Sequence, residues 1–199
     1  MNAANPRDKY LGAAIKAGDG IRILRQDLWE MIVTFLISQQ NNIKRIRKCI
    51  ETICRKYGER KISSAGVEYY AFPTVEALSQ ATEEELRGCG LGYRAKYIAV
   101  TARTIASGQI SLEKIYDMRY HQAKKELMKL CGVGEKVAEC ICLFALHHMD
   151  AFPIDTHIRQ VMDVHYKRGF PNRRYRGMRG IMQQYIFTMT CTHRLRMLS

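Results

Sequence analysis

Apolar residues recur three and four positions apart over most of the chain. In DLWEMIVTFLISQQ, Asp27 stands where a helix cap belongs, and Leu28, Ile32, Phe35 and Leu36 then fall on one face. In NNIKRIRKCIETICRKYG the spacing repeats through Ile43, Ile46, Ile50, Ile53 and Tyr57 until Gly58 stops it. Both stretches predict amphipathic helices. A loop is expected at 59–72, after which FPTVEALSQ opens a short helix and Thr82 and Glu85 have the spacing of a capping box. GYRAKYIAVTARTIASG carries Tyr97, Val100 and Ile105 to Gly108. Helices are also expected at about 112–116 and 119–130, over THIRQVMDVHYKRG and over RGIMQQYIFTM. No stretch alternates as a paired strand does, so the pattern predicts an all-α protein. No repeat or low-complexity tract is present, and 59–72 and the basic KRGFPNRRYRG read as connectors.

One stretch interrupts the helices informatively: LCGVGEKVAECICLFALHHMDAFPIDTHI, residues 130–158. Gly132 and Gly134 flank Val133 between two amphipathic helices. They permit the positive φ and close backbone approach of a tight hairpin, whose amides and following helix N-terminus can face a phosphate. A plain turn between helices is the alternative. Charge favours the phosphate: Lys and Arg outnumber Asp and Glu 32 to 19, for a net +13 and a pI near 9.6. No apolar run is long enough to span a bilayer and no leader opens the chain, so nucleic acid rather than membrane is the expected partner. The 199 residues, 47% apolar, suffice for one substantial core or two small lobes. Seven cysteines (Cys49, Cys54, Cys89, Cys131, Cys140, Cys142 and Cys191) form no CxxC with matching ligands. They read as reduced thiols of a cytoplasmic protein, nucleoid-associated if bacterial, and no metal site is expected.

Two residues of this stretch carry candidate chemistry. Lys136 lies in the first turn of the second hairpin helix, where the positive end of the dipole disfavours an ammonium and so favours a nucleophilic amine. A solvated lysine or a phosphate contact is the alternative. Asp155 follows after room for one helix, a loop and a return. Lying between Pro153 and the next helix, it reads as an N-cap, and an ionised cap carboxylate can also stabilise a cationic sugar.

The segments RILRQD, NNIKRI, GLGYRAKY, LCGVGEKVAECICLFAL, FPIDTHI and GIMQQYIF occur in order between about residues 20 and 187. Together they resemble the 8-oxoguanine DNA glycosylase family, bifunctional members of the helix-hairpin-helix glycosylase superfamily. Endonuclease III relatives usually end in a four-cysteine iron–sulfur loop, whereas only Cys191 lies in this tail. The resemblance implies two helical lobes flanking a DNA-binding cleft within a single domain over 1–199, with sub-lobes at about 28–125 and at 126–190 plus the N-terminal segment.

It further implies that Lys136 attacks the anomeric carbon as the damaged base leaves, forming a Schiff base that permits β-elimination, while Asp155 stabilises the oxocarbenium charge. Gly132, Val133, Gly134 and His157 would contact phosphate. Cys140, Phe144 and Phe187 would wall the base pocket, and Gln183 would read the base's pairing edge. A base in a duplex must be evicted before its glycosidic carbon can be reached. Tyr93 matches the wedge that fills the gap, Arg94 and Arg45 match ligands of the orphaned cytosine, and Gln40 and Asn41 adjoin them. By spacing alone, Cys140 and Phe187 would be core, Gln183, His157 and the arginines surface, and Tyr93 a helix-start aromatic.

Two departures stand out. Gln40 replaces the family's usual asparagine beside the cytosine. Family members usually carry an N-terminal β-rich lobe whose glycine carbonyl meets the oxidised purine, and this chain starts almost at its helices, while its basic ending CTHRLRMLS reads as that of a shortened reading frame. The expectation is a monomeric glycosylase and AP lyase acting on duplex DNA with oxidised purines or abasic sites. No organic cofactor is implied, and a monovalent cation between hairpin carbonyls and a phosphate is the one ion the motif accommodates. Two alternatives stand beside it: a helix-hairpin-helix DNA-binding fragment with lyase activity alone or none, and a monofunctional glycosylase, which would not need the amine.

Overall fold

The computed structural model describes residues 5–196, with 192–196 described by backbone alone, so the last three residues of the CTHRLRMLS ending lie outside the described residues. The chain divides into a central unit, Gln26–Ile141, and a terminal unit made of the residues up to Arg25 and those from Cys142 onward. The division falls inside a helix rather than near residue 125, ahead of the hairpin. It is helical throughout apart from one two-stranded sheet among the described residues.

In the central unit α2 (Leu28–Ser38) begins where Asp27 accepts the Glu30 amide at 2.9 Å. It is buried on nearly every side, with Ile32, Val33, Leu36 and Ile37 fully enclosed, whereas Phe35 is only half-buried. α3 (Ile43–Tyr57) is capped by Asn42 and turns Cys49 and Ile53 inward. Ile43, in its first turn, stays 70% exposed, so the expected apolar face starts one turn later.

The expected loop at 59–72 contains an antiparallel hairpin, β1 (Arg60–Ile62) with β2 (Glu68–Tyr70), in the register Arg60 opposite Tyr70. Its strands are exposed on both faces, so they leave no alternation in the sequence. Short helices α4 (Val75–Ser79) and α5 (Glu83–Leu86) follow, the latter with the full Thr82–Glu85 capping box. A π-type turn over Arg87–Leu91, containing Gly90 at φ 81°, leads into α6 (Arg94–Ala106). Ala95, Ala99 and Ala102 on the buried side of α6 let α2 and α4 approach closely. Next come α7 (Leu112–Asp117), α8 (Tyr120–Leu127) and α9 (Glu135–Phe144), along which the chain passes from one unit to the other.

The terminal unit joins both ends of the chain. Helix α1 (Lys9–Ala17), α10 (Thr156–His165) and α11 (Arg179–Arg196) enclose a core of Leu11, Ile158, Val161, Phe170, Tyr175, Met182 and Ile186. The pattern gave no sign of α1, which buries only Leu11 and Ala14 in nine residues. None of the seven cysteines forms a disulfide.

Candidate functional site

The expected hairpin lies between α8 and α9 and belongs to the central unit. Val133 N–H donates to the Leu130 carbonyl at 3.1 Å, closing the turn. Gly132 has φ 81°, and a Cβ on it would lie 2.5 Å from the Tyr97 ring, so conformation and space both demand glycine there. Gly134 differs from the expectation of two left-handed glycines: its φ is not positive, and a Cβ on it would meet nothing within 4 Å. Its carbonyl accepts the Ala138 amide and starts α9. A glycine cap brings no side chain to the first-turn amides of α9, which have no intrahelical partners. The carbonyls of Cys131 and Gly132 already accept the Thr101 hydroxyl (3.3 Å) and the Gln39 amide (3.1 Å), so a cation there would share them.

Lys136 is exposed in the first turn of α9, its ammonium 5.7 Å from the Phe35 ring centre, within cation–π range. It makes no salt bridge among the described residues, although carboxylates stand next to it and one turn on. Those are occupied elsewhere. Lys124 on α8 pairs with Glu135 at 2.8 Å and with Glu139 at 2.6 Å, and Tyr120 donates its hydroxyl to Glu139 at 2.6 Å. Glu139 is only 6% exposed. Burial opposes the charge on Lys124, but the hydrogen bonds it donates to its two carboxylate partners outweigh it and move its pKa upward. The hydrogen bond with Lys124 holds Glu135 below the usual carboxylate range. Cys140 (buried) and Phe144 (half-buried) follow Lys136 at steps of four along one stripe of α9.

Gln39, absent from the sequence-based site, joins this hairpin to Tyr93 and Arg94. While its side chain donates to Gly132, its carbonyl accepts Arg94 Nε (2.8 Å), Arg94 Nη2 and the Tyr93 hydroxyl (3.3 Å). Arg94 also donates to the carbonyls of Gln40 (2.9 Å) and Leu91 (3.4 Å) and is 4% exposed. The guanidinium expected to meet an orphaned cytosine is thus spent on backbone carbonyls and stacked 4.5 Å from Tyr93. Tyr93 itself is 46% exposed. Gln40, beside it, is exposed at φ 46°, an uncommon conformation for a residue with a side chain. Asn41 donates to the Ile37 carbonyl (3.0 Å), and the exposed Arg45 reaches the Gly90 carbonyl (3.2 Å).

The remaining expected residues lie in the terminal unit. Asp155 caps α10, one oxygen accepting the Ile158 amide at 2.8 Å, which leaves the other uncommitted by the cap. His157 is half-buried, its ring 6.3 Å from that of Phe187 in an edge arrangement. Gln183 is 3% exposed; it donates to the Pro153 carbonyl (3.0 Å) and accepts from Gln184 (2.6 Å), so both ends of the amide expected to read a base are engaged internally. No cluster of three or more His, Cys, Asp or Glu suited to a metal occurs among the described residues, and none of their helices is long and apolar enough to cross a membrane.

The model of the HhH-GPD superfamily of base excision DNA repair proteins matches residues 33–175. An N-glycosylase/DNA lyase of Saccharomyces cerevisiae is 40% identical over 173 residues, 81% of this chain and 46% of the yeast protein. One from Arabidopsis thaliana is 38% identical over 159 residues, covering 78% of this chain and 43% of its own length. This chain therefore spans less than half the length of either relative. The structure of a Clostridium acetobutylicum 8-oxoguanine glycosylase/lyase, in complex with double-stranded DNA containing cytosine opposite 8-oxoguanine, is 38% identical. It superposes with a TM-score of 0.88 over 94% of this chain and 68% of that one.

The Lys124 clasp predicts a pH dependence. A lysine whose pKa is raised by folding contributes stability that is complete below its unfolded value, about 10.4, and is lost as pH rises through the folded value. Lys124→Met should cost about 2 kcal/mol, between exposed and buried ion pairs. The gap to the wild type in urea denaturation should stay constant from pH 6 to 9 and narrow above pH 10.

Proposed function

We propose, for a chain that belongs to the HhH-GPD superfamily of base excision DNA repair proteins, that it removes oxidised purines such as 8-oxoguanine from duplex DNA and cleaves the resulting abasic strand. One observation carries the reading: Lys136 is exposed at the start of α9, and the carboxylates nearest to it in sequence are tied to Lys124. An amine that pairs with neither carboxylate is available to attack carbon. Its lone pair adds to the anomeric carbon as the glycosidic bond breaks and the electron pair leaves with the base, which takes up a proton. Loss of a proton from nitrogen and opening of the sugar ring give an imine. Removal of a proton from the adjacent carbon then expels the 3′ phosphate, and water returns the free amine.

Asp155 stabilises the cationic sugar while its cap holds the carboxylate in place. The hairpin amides and His157 hold phosphate, Tyr93 fills the evicted base's position, and Cys140, Phe144 and Phe187 line the pocket. Gln40 and Asn41, with Arg45, face the orphaned base.

The bonding of Gln183 and Arg94 favours a second reading, in which AP-lyase activity exceeds base excision. Both side chains are buried and already engaged in internal hydrogen bonds, whereas Lys136 is exposed and makes no salt bridge among the described residues. Single-turnover cleavage of an abasic duplex, compared with that of an 8-oxoguanine:cytosine duplex, decides between them. Equal rates support the bifunctional reading, a much faster abasic reaction supports the second, and no cleavage of either sinks both. Asp155→Asn keeps an N-cap of equal quality but loses the charge. It should leave thermal stability nearly unchanged and slow excision roughly 100-fold or more. Gly134→Ala, which meets no neighbour, should fold within about 1 kcal/mol of the wild type while binding duplex DNA several-fold more weakly; unchanged affinity would remove the hairpin from the DNA interface.

A further inference from the structure

No aspartate or glutamate occurs after Asp163, whereas Lys167, Arg168, Arg173, Arg174, Arg176 and Arg179 crowd the thirteen residues that lead from the end of α10 to the first residue of α11. The sequence reads this segment as a connector. Its fold is more specific than that. Phe170 and Tyr175 are turned inward, 6% and 1% exposed, with ring centres 5.4 Å apart, and the Tyr175 hydroxyl accepts the Asn5 amide at 3.1 Å. Short-range bonds hold the backbone ahead of and between these anchors, from Gly169 N–H to the Tyr166 carbonyl (2.7 Å) and from Arg174 N–H to the Pro171 carbonyl (3.0 Å). Asp150 fixes the far end by accepting from Gly177 N–H (2.7 Å) and Arg179 Nε (3.1 Å).

Of the six cations only Arg179 has an acidic partner; the other five are exposed and make no salt bridge among the described residues. Five like charges on a braced loop, with no salt bridge among the described residues, repel one another. A polyanion relieves that repulsion. Because the loop is already ordered, binding costs little conformational entropy. Guanidinium groups, five of the six, match phosphate oxygens in a planar fork.

The buried aromatics decide which polyanion. Single-strand binders stack bases on exposed rings, and surface-binding membrane segments insert apolar side chains; here both rings of the segment face the core. What remains outside is charge without base readout. We propose that residues 167–179 form a second DNA-binding surface, which grips the phosphate backbone of intact duplex DNA independently of sequence and lesion. This rests on the DNA-repair reading above and adds to it a surface outside the hairpin and base pocket.

The test is the salt dependence of binding to an undamaged 30-base-pair duplex. Each phosphate contact contributes about 0.9 to the slope of log K against log salt. Arg173→Gln/Arg174→Gln/Arg176→Gln should lower that slope by up to about 2.7. A control with the same change in net charge, Lys61→Gln/Arg87→Gln/Lys129→Gln, removes cations already engaged in ion pairs and should lower it by less than 1. Lys167→Gln/Arg168→Gln gives an independent loss of up to about 1.8. Equal loss in the control, or an unchanged slope in both loop variants while the wild type binds, overturns the proposal and leaves the function above intact. A wild-type chain that does not bind duplex DNA at low salt overturns both. Loop-dependent binding to vesicles containing phosphatidylserine, with the DNA slope unchanged, would assign the surface to membrane and also overturn it.

Discussion

The Gln39 carbonyl accepts three donors from two residues, and the same residue's side chain reaches back to the hairpin at Gly132. This corner of the central unit hangs on that carbonyl. The buried Arg94 guanidinium has no carboxylate partner among its hydrogen bonds; the carbonyl dipoles of Gln39, Gln40 and Leu91 carry its charge. Such charge-assisted bonds contribute roughly 1.5–3 kcal/mol each, and a buried guanidinium that lost them would be left largely uncompensated. That strength holds Gln40 in a left-handed conformation and sets Tyr93 at the surface. It also keeps the α2 end, the α6 start and the hairpin in one arrangement.

A second constraint acts on charge. α9 carries Glu135 and Glu139 next to Lys136 and one turn beyond it, at spacings where a helix would ordinarily form ion pairs. Lys124 and Tyr120 on α8 draw both carboxylates to the other helix. The bracing that fixes α9 against α8 also leaves the Lys136 amine without a salt bridge among the described residues, so the contacts that pack the helix also set the charge around this amine. In the terminal unit Asp155 combines roles in the same way, since the cap that starts α10 also fixes the orientation of its carboxylate.

Much of this was legible in the sequence where local rules decide the outcome. The caps at Asp27 and Asp155, the Thr82–Glu85 box and the hairpin at Gly132 each depend on a few neighbouring residues whose chemistry permits one geometry. The β-hairpin at 60–70 was not legible, because its strands are exposed except at the half-buried Tyr70, so no apolar alternation marks them. Helix α1 was missed because it buries two residues and is ordered by contacts with α11, far away in sequence. Gln39 was missed because its importance lies in a main-chain oxygen, which no side-chain pattern reports. The inward Arg94 and Gln183 show the converse. The family resemblance identifies positions, but whether a polar side chain faces a ligand or its own backbone depends on tertiary surroundings. Gly134 shows a third case, in which glycine is required by neither conformation nor internal space and its openness is directed outward.

The central claim is that one particular amine, Lys136, becomes bonded to the sugar. The most direct measurement reduces the reaction of the wild-type chain with an abasic duplex by borohydride, digests the product and maps the modified peptide. The account predicts a single sugar adduct on Lys136, in the peptide that begins α9. An adduct on another lysine or on the N-terminal amine, with Lys136 unmodified, would contradict it.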